Sequence, residues 1–250
     1  MAREAHAQYG PSHWPYYGGG GSGPGSGSGT SGDSNGFGFG SFEGAPGFDV
    51  DAAMRTRTIH GILAALAMVV LFPSGSILMR ILPGRLALWG HALTQVIAFC
   101  VYIAAAGLGF YLVHEVQIPF AGGSLLENPA TSYHPVIGIV VLVFLFFQPF
   151  LGLIHHAKFK RLQRRTAWSY LHIFNGRIFI TLGIINGGLG LGLAGADAGV
   201  KKTYIVVSVI MWTLWMAAAI IGEVRRCNAN RKVAREGRRQ RKMSDGEVPF

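Results

Sequence analysis

The sequence predicts an all-α integral membrane protein with five transmembrane helices. Two observations carry that prediction. Half of the 250 residues are apolar and 14% are charged, with a positive mean hydropathy, which is too apolar for an ordinary soluble domain. The apolar residues also gather into five runs, roughly residues 58–82, 87–113, 134–154, 170–194 and 203–222. Each run is about 20 residues or more, enough to cross a hydrocarbon core of ~30 Å as a helix. Inside lipid the backbone must satisfy its own hydrogen bonds, which excludes open strands.

Taken in order, residues 1–50 form a low-complexity tail. The stretch GGGGSGPGSGSGTSGDSNGFGFGSFEG is a disordered Gly/Ser-rich linker by composition and buries no core. Arg3 is followed by polar residues, so no secretory signal is read there. A linker joins two things and none lies upstream. The chain is therefore expected to be a module of a longer protein or an incomplete gene model. Residues 55–222 are expected to be the transmembrane domain and 223–250 a basic tail.

The first run carries His60 near its start, Pro73 in its second half and Arg80 at its close. The second carries His91 and Gln95, and the third His134 and Pro149, ending at His155 and His156. The fourth carries His172, Arg177 and the small-residue stretch GIINGGLGLGLAG, which permits close helix approach in lipid. The prolines are expected to kink their spans. The fifth run precedes nine of the chain's 22 Lys and Arg, between Arg225 and Lys242.

Basic residues in loops orient the chain. Loops 1–2 and 3–4 and the C-terminal segment hold sixteen Lys and Arg, including Lys158, Lys160, Arg161, Arg164 and Arg165. The opposite side holds five. The expected topology has the N-terminus outside and the C-terminus cytoplasmic, in the plasma membrane or an endomembrane. The net charge of +10 is thus a topology feature, not a nucleic-acid one. Cys100 and Cys227 are too far apart along the fold to meet. Without C-x-x-C-H there is no covalent c-type haem.

His60, His91, His134 and His172 each lie at or near the start of one of the first four spans. Spans alternate in direction, so His60 and His134 share the outer level, and His91 and His172 the inner one. In an up-down four-helix bundle, spans 1 and 3 are diagonal, as are 2 and 4. Each pair then faces across the core, the arrangement a bis-histidine haem iron needs. The predicted architecture is therefore a four-helix bundle around two b haems. Position i+4 shares a helix face with the ligand and should be small beside a porphyrin. Ala64, Gly138 and Gly176 fit, whereas Gln95 departs. Zinc is the main rival metal, but it wants about four converging ligands. His155 or His156 could replace His172, though span 3 is adjacent to span 2 rather than diagonal.

The motifs HG at His60, FPSGSILMR at Phe72–Arg80, HALTQ at His91 and HPVIG at His134 together resemble the cytochrome b561 family. So do QPFLGLIHH at Gln148, H-x-x-x-G-R at His172–Arg177 and LGIINGGLGL at Leu182. The resemblance covers about residues 55–222 and is most similar to the fungal type. In that type a Gly/Ser linker joins the membrane module to an extracellular DOMON haem domain. It implies that His60 and His134 bind an outer haem b, and His91 and His172 a cytoplasmic one. It further implies a transmembrane oxidoreductase that carries electrons from a cytoplasmic small-molecule donor to an extracellular acceptor. Ascorbate is one option for the donor. The acceptor options are ferric iron, monodehydroascorbate or a DOMON haem domain. Membrane lipid is an expected partner, with a homodimer left open and nucleic acid excluded.

Arg makes bidentate carboxylate contacts, so Arg80 and Arg177 are candidates for the inner haem's propionates. A charge inside a span, as at Arg177, is costly and usually functional. Arg57 could serve the outer haem, or be a plain pre-helix charge. Lys158, Lys160 and Arg161 border the inner mouth, where ascorbate-using family members hold the anionic donor. The polar Gln95, Gln148 and Asn186 would bond propionates or bridge helices. Two rivals are a proton or metal transporter using the histidines and a non-redox membrane anchor. The transporter predicts acidic partners within the spans, and none precedes Glu223 there. The anchor leaves the paired histidines without an account.

Overall fold

The structure is a computed structural model that describes residues 49–115, 117–118, 123–244 and 246. Residues 1–48 of the expected linker lie outside the described residues. The other two, Asp49 and Val50, belong to the first helix instead. Asp49 is its N-cap, the carboxylate accepting the Ala52 N–H at 2.9 Å, which satisfies one of the orphan donors of a helix start.

Span 1 is α1 (Val50–Ala65), a six-residue π-helical segment (Leu66–Leu71) and α2 (Phe72–Ile81). Span 2 is α3 (Gly84–Glu115), span 3 is α4 (Tyr133–Phe146) with α5 (Gln148–Leu162), and span 4 is α6 (Ala167–Leu193). Span 5 is α7 (Ala198–Ser244). All five are long and apolar enough to cross a membrane. Both interrupted spans are interrupted at a proline. Pro73 has no N–H to give, and the wide π turn ends two residues before it. Phe147 separates α4 from α5, and Pro149 is the second residue of α5. The uninterrupted α3 has no proline within it.

The turn between α2 and α3 is chemically determined. Leu82 precedes Pro83 and is extended (ψ 146°), as the proline ring demands. Gly84 then turns the chain at φ +55°, a conformation costly for a residue with a Cβ. A small antiparallel pairing, β1 (Gln117–Ile118) with β2 (Gly123–Ser124), closes the link between α3 and α4. The sequence did not suggest it.

Neighbour packing runs from span 1 to span 2, span 2 to span 3, span 3 to span 4, and span 4 back to span 1. That ring leaves spans 1 and 3 opposite one another, and likewise 2 and 4. Between the ends of the bundle sits a tight apolar layer that includes Met68, Phe72, Val141 and Leu145. Helix association in lipid depends on such close packing rather than on a hydrophobic drive. The glycines of α6 permit it: a Cβ on Gly183 would lie 2.7 Å from Met68 Sδ, and one on Gly187 would collide with the Tyr204 hydroxyl. Outward faces stay apolar, with Trp89 and Leu153 each 70% exposed. Exposed apolar surface on this scale marks a lipid-facing belt.

Span 5 packs along α2 and α6. It does not end where its apolar run ends. The helix passes Gly222 and continues through the basic residues to Ser244, so most of the segment read as a tail is helical. An acid just past the apolar run ties this helix to the bundle. Glu223 accepts two bonds from Arg165 at 2.7 and 2.8 Å, and Arg80 reaches it at 3.4 Å. A Cβ on Gly222 would come within 2.8 Å of the Arg80 side chain, so a bare backbone lets Arg80 cross α7.

Candidate cofactor site: two facing histidine pairs

His60 projects from α1 toward α3. Its Nδ1 lies 2.7 Å from the Ala105 carbonyl. A Cβ on Gly109 would sit 3.0 Å from its ring, so the absent side chain makes the room. His134 opens α4 and points at α6. Its Nδ1 is 3.0 Å from the Asn186 carbonyl and 3.1 Å from Asn186 Oδ1. Gly190 clears its other edge, where a Cβ would stand 2.6 Å from Cε1. The two rings lie 6.1 Å apart with planes at 85°.

At the basic end, His91 of α3 places Nδ1 2.9 Å from the Gly75 carbonyl of α2. His172 of α6 stands opposite, the ring centroids 6.5 Å apart and the planes again at 85°. Gly152 of α5 lies along its edge, a Cβ there being 3.3 Å from Cε1. The buried His172 Nδ1 makes no well-formed hydrogen bond among the described residues, with the Gln148 backbone nearby. The ring of His155 lies near-parallel to that of His172, centroids 6.0 Å apart and planes at 18°.

A carbonyl only accepts, so the nitrogen bonded to it carries the proton. At His60, His91 and His134 that nitrogen is Nδ1, which leaves Nε2 with its lone pair. Such outer bonds orient metal-binding imidazoles and raise their basicity.

The pair geometry can be tested against an iron held between two imidazoles. With metal–nitrogen bonds of about 2.0–2.1 Å, as for zinc, an in-line N–metal–N unit puts ring centroids roughly 6.3 Å apart. The observed 6.1 and 6.5 Å bracket that value. Among the described residues no three His, Cys, Asp or Glu side chains converge as a metal cluster. Two facing pairs stand at opposite ends, with His155 beside His172.

The separation of the levels follows from two helices. His60 and Gly75, which touch different pairs, are 15 residues apart in span 1, or about 22 Å at 1.5 Å per residue. His172 and Asn186 are 14 apart in α6, or about 21 Å. The two estimates agree, and the apolar layer lies between them.

Arg80 pairs with Glu223, as described. Arg177 lies part-buried in α6 and feels the charges of Glu223, Arg80 and Arg165. Three cations thus surround one carboxylate at the basic end. Arg57 donates to the Ala194 carbonyl at 2.9 Å, serving the C-terminus of α6. Gln95 donates to the Phe72 carbonyl at 2.9 Å and Gln148 to that of His172 at 3.2 Å. Gln95, Gln148 and Asn186 thus each bridge two helices.

Sequence reasoning missed several contributors. It sought room for a porphyrin four residues along the histidine's own helix; a Cβ on Gly138 or Gly176 would lie 3.3 Å from the Asn186 or Gln148 side chain. The clearance around the imidazole rings themselves comes from Gly109, Gly152 and Gly190 on neighbouring helices. Only their abundance in the spans hinted at this. Ala105 and Gly75 act through backbone carbonyls and left no mark in the sequence. Arg165 was counted only as a loop charge.

Two Arabidopsis thaliana proteins, each named a cytochrome b561 and DOMON domain-containing protein, are similar to this chain. One is 31% identical over 145 residues, covering 57% of this chain and 33% of the relative. The other is 27% identical over 205 residues, covering 77% of this chain and 47% of the relative. The chain thus spans a third to about half of the length of these relatives. No family model and no solved structure matches it. With five apolar helices and two curated homologues of that name, the chain is related to the cytochrome b561 family.

Proposed function

We propose that the protein carries electrons across a membrane through two b haems. His60 and His134 would hold one, and His91 and His172 the other. The observation that carries this is the spacing of the two ring pairs, 6.1 and 6.5 Å, at two levels of one bundle. Haem, when bound, supplies the one-electron redox couple.

The chain's own residues do the rest. The four imidazoles would hold the two haem irons. Ala105, Gly75 and Asn186 hold three of them in the right tautomer. The layer around Met68, Phe72, Val141 and Leu145 excludes water between the levels. At the basic end, Arg80 and Arg177 would take the propionates, with Arg165 balancing Glu223. In this reading the basic end is cytoplasmic, and a small anionic reductant such as ascorbate docks there. The other end faces an extracellular acceptor: ferric iron, monodehydroascorbate or a DOMON haem domain.

The test uses purified protein in sealed liposomes loaded with ascorbate, with a ferric chelate outside. Haem-replete wild type should reduce the external iron well above protein-free vesicles, and His60→Ala and His172→Ala should each stop it. Reduction no faster than in protein-free vesicles would contradict the proposal.

A further inference from the structure

We infer that His155 is a positioning residue for His172, its near-parallel ring limiting how the imidazole can turn. The inference rests on the haem reading above. His172 is held less tightly than the other three: its buried Nδ1 makes no well-formed hydrogen bond among the described residues, with the Gln148 backbone its nearest polar neighbour. A buried polar atom left unpaired calls for a specific account.

The account lies on α5. Gly152 and His155 are one turn apart and share a helix face. Gly152 offers bare backbone to the edge of the His172 ring, and His155 offers a ring nearly parallel to it, at 18°. Together they form a slot. His155 is itself held: its Nδ1 lies 2.6 Å from Ser169 Oγ. Ser169 is fully buried in the first turn of α6, where its Oγ also accepts the Thr166 N–H at 3.2 Å. The chain from Thr166 through Ser169 to His155 therefore runs from one end of α6 back to His172 on the same helix.

Ser169 fixes the His155 ring through Nδ1, and the fixed ring sets the plane of the His172 ring beside it.

The test compares oxidised full-length wild type, His155→Ala, His155→Phe and Ser169→Ala. Low-temperature electron paramagnetic resonance reads imidazole orientation, and haem transfer to apomyoglobin reads retention. Wild type should show two low-spin signals. In His155→Ala one signal should shift, and that haem should leave roughly 10–100-fold faster, the usual scale for losing an outer partner of a metal ligand. The other haem should be unchanged, which reports intact folding. His155→Phe keeps the stack and should restore the wild-type signal; Ser169→Ala should shift it less than His155→Ala. Two wild-type haems with His155→Ala indistinguishable in both readouts would overturn the inference and leave the haem reading standing. Failure of His155→Phe to rescue, or loss of a haem in His155→Ala but not in His172→Ala, would overturn it as well. A wild type that binds no haem would overturn both.

Discussion

The two histidine pairs are alike in spacing and unlike in support. At one end both rings are tied by Nδ1 to a neighbouring helix, His60 to Ala105 and His134 twice to Asn186. At the basic end only His91 makes such a well-formed bond, to Gly75, while His172 has the Gln148 backbone nearby and the His155 ring alongside. Donation from Nδ1 makes an imidazole a stronger ligand and favours the more oxidised metal. In the proposed two-haem reading, the end with more such bonds should hold its iron at the lower potential, and the two sites would differ only in what stands behind their histidines.

The largest expected effect comes from filling the space behind a ring. In Gly190→Ala the new Cβ would stand 2.6 Å from His134 Cε1, too close for His134 to keep its place. Overpacking of this kind typically costs about 1–3 kcal/mol. Gly190→Ala should therefore lose most of one haem, counted per chain. Gly152→Ala, at 3.3 Å from His172, should keep both. Equal losses in the two variants would break the comparison.

A smaller effect sharpens it. Asn186→Leu removes the Oδ1 acceptor at His134 and leaves the backbone carbonyl in place. A net hydrogen bond is worth about 0.5–1.5 kcal/mol, or roughly 20–65 mV for one electron. The midpoint potential of that haem should rise by this amount in a redox titration, and the other should stay put. A fall, or movement of the other haem alone, would contradict the account.

The smallest effect concerns the fifth span. Glu223→Gln would weaken the bonds to Arg165 and Arg80, which are part-exposed and so worth little, about 0–1 kcal/mol. The melting temperature should drop by a few degrees at most, with the haem count unchanged. Loss of a haem in this variant would mean that α7 shapes the basic-end site more than its packing suggests.

The spans were legible because lipid leaves few choices: a run of apolar residues of sufficient length is a helix. The prolines marked where two spans break, since a missing N–H and a ring clash act locally. The four histidines were legible because polar residues are sparse in such spans and alternation of direction assigns their depths. What surrounds them was not. A backbone carbonyl at Ala105 or Gly75 has no sequence signature. The clearance beside each ring depends on which glycine of a neighbouring helix arrives there, which is a matter of packing. Arg80 reads equally well as an anchor or a propionate partner, and its pairing with Glu223, 143 residues on, has no sequence signature. The helix beyond Gly222 was hidden because its apolar signal stops there, although its Ala, Arg and Lys are good helix formers.

The most direct test of the central claim is a haem count by pyridine haemochrome on folded, haem-replete protein, with the reduced-minus-oxidised spectrum of the same sample. The account predicts two low-spin b haems per chain in wild type, one each in His60→Ala and His172→Ala, and none in the double variant. A wild-type count of zero, or single variants that each keep two haems, would contradict it.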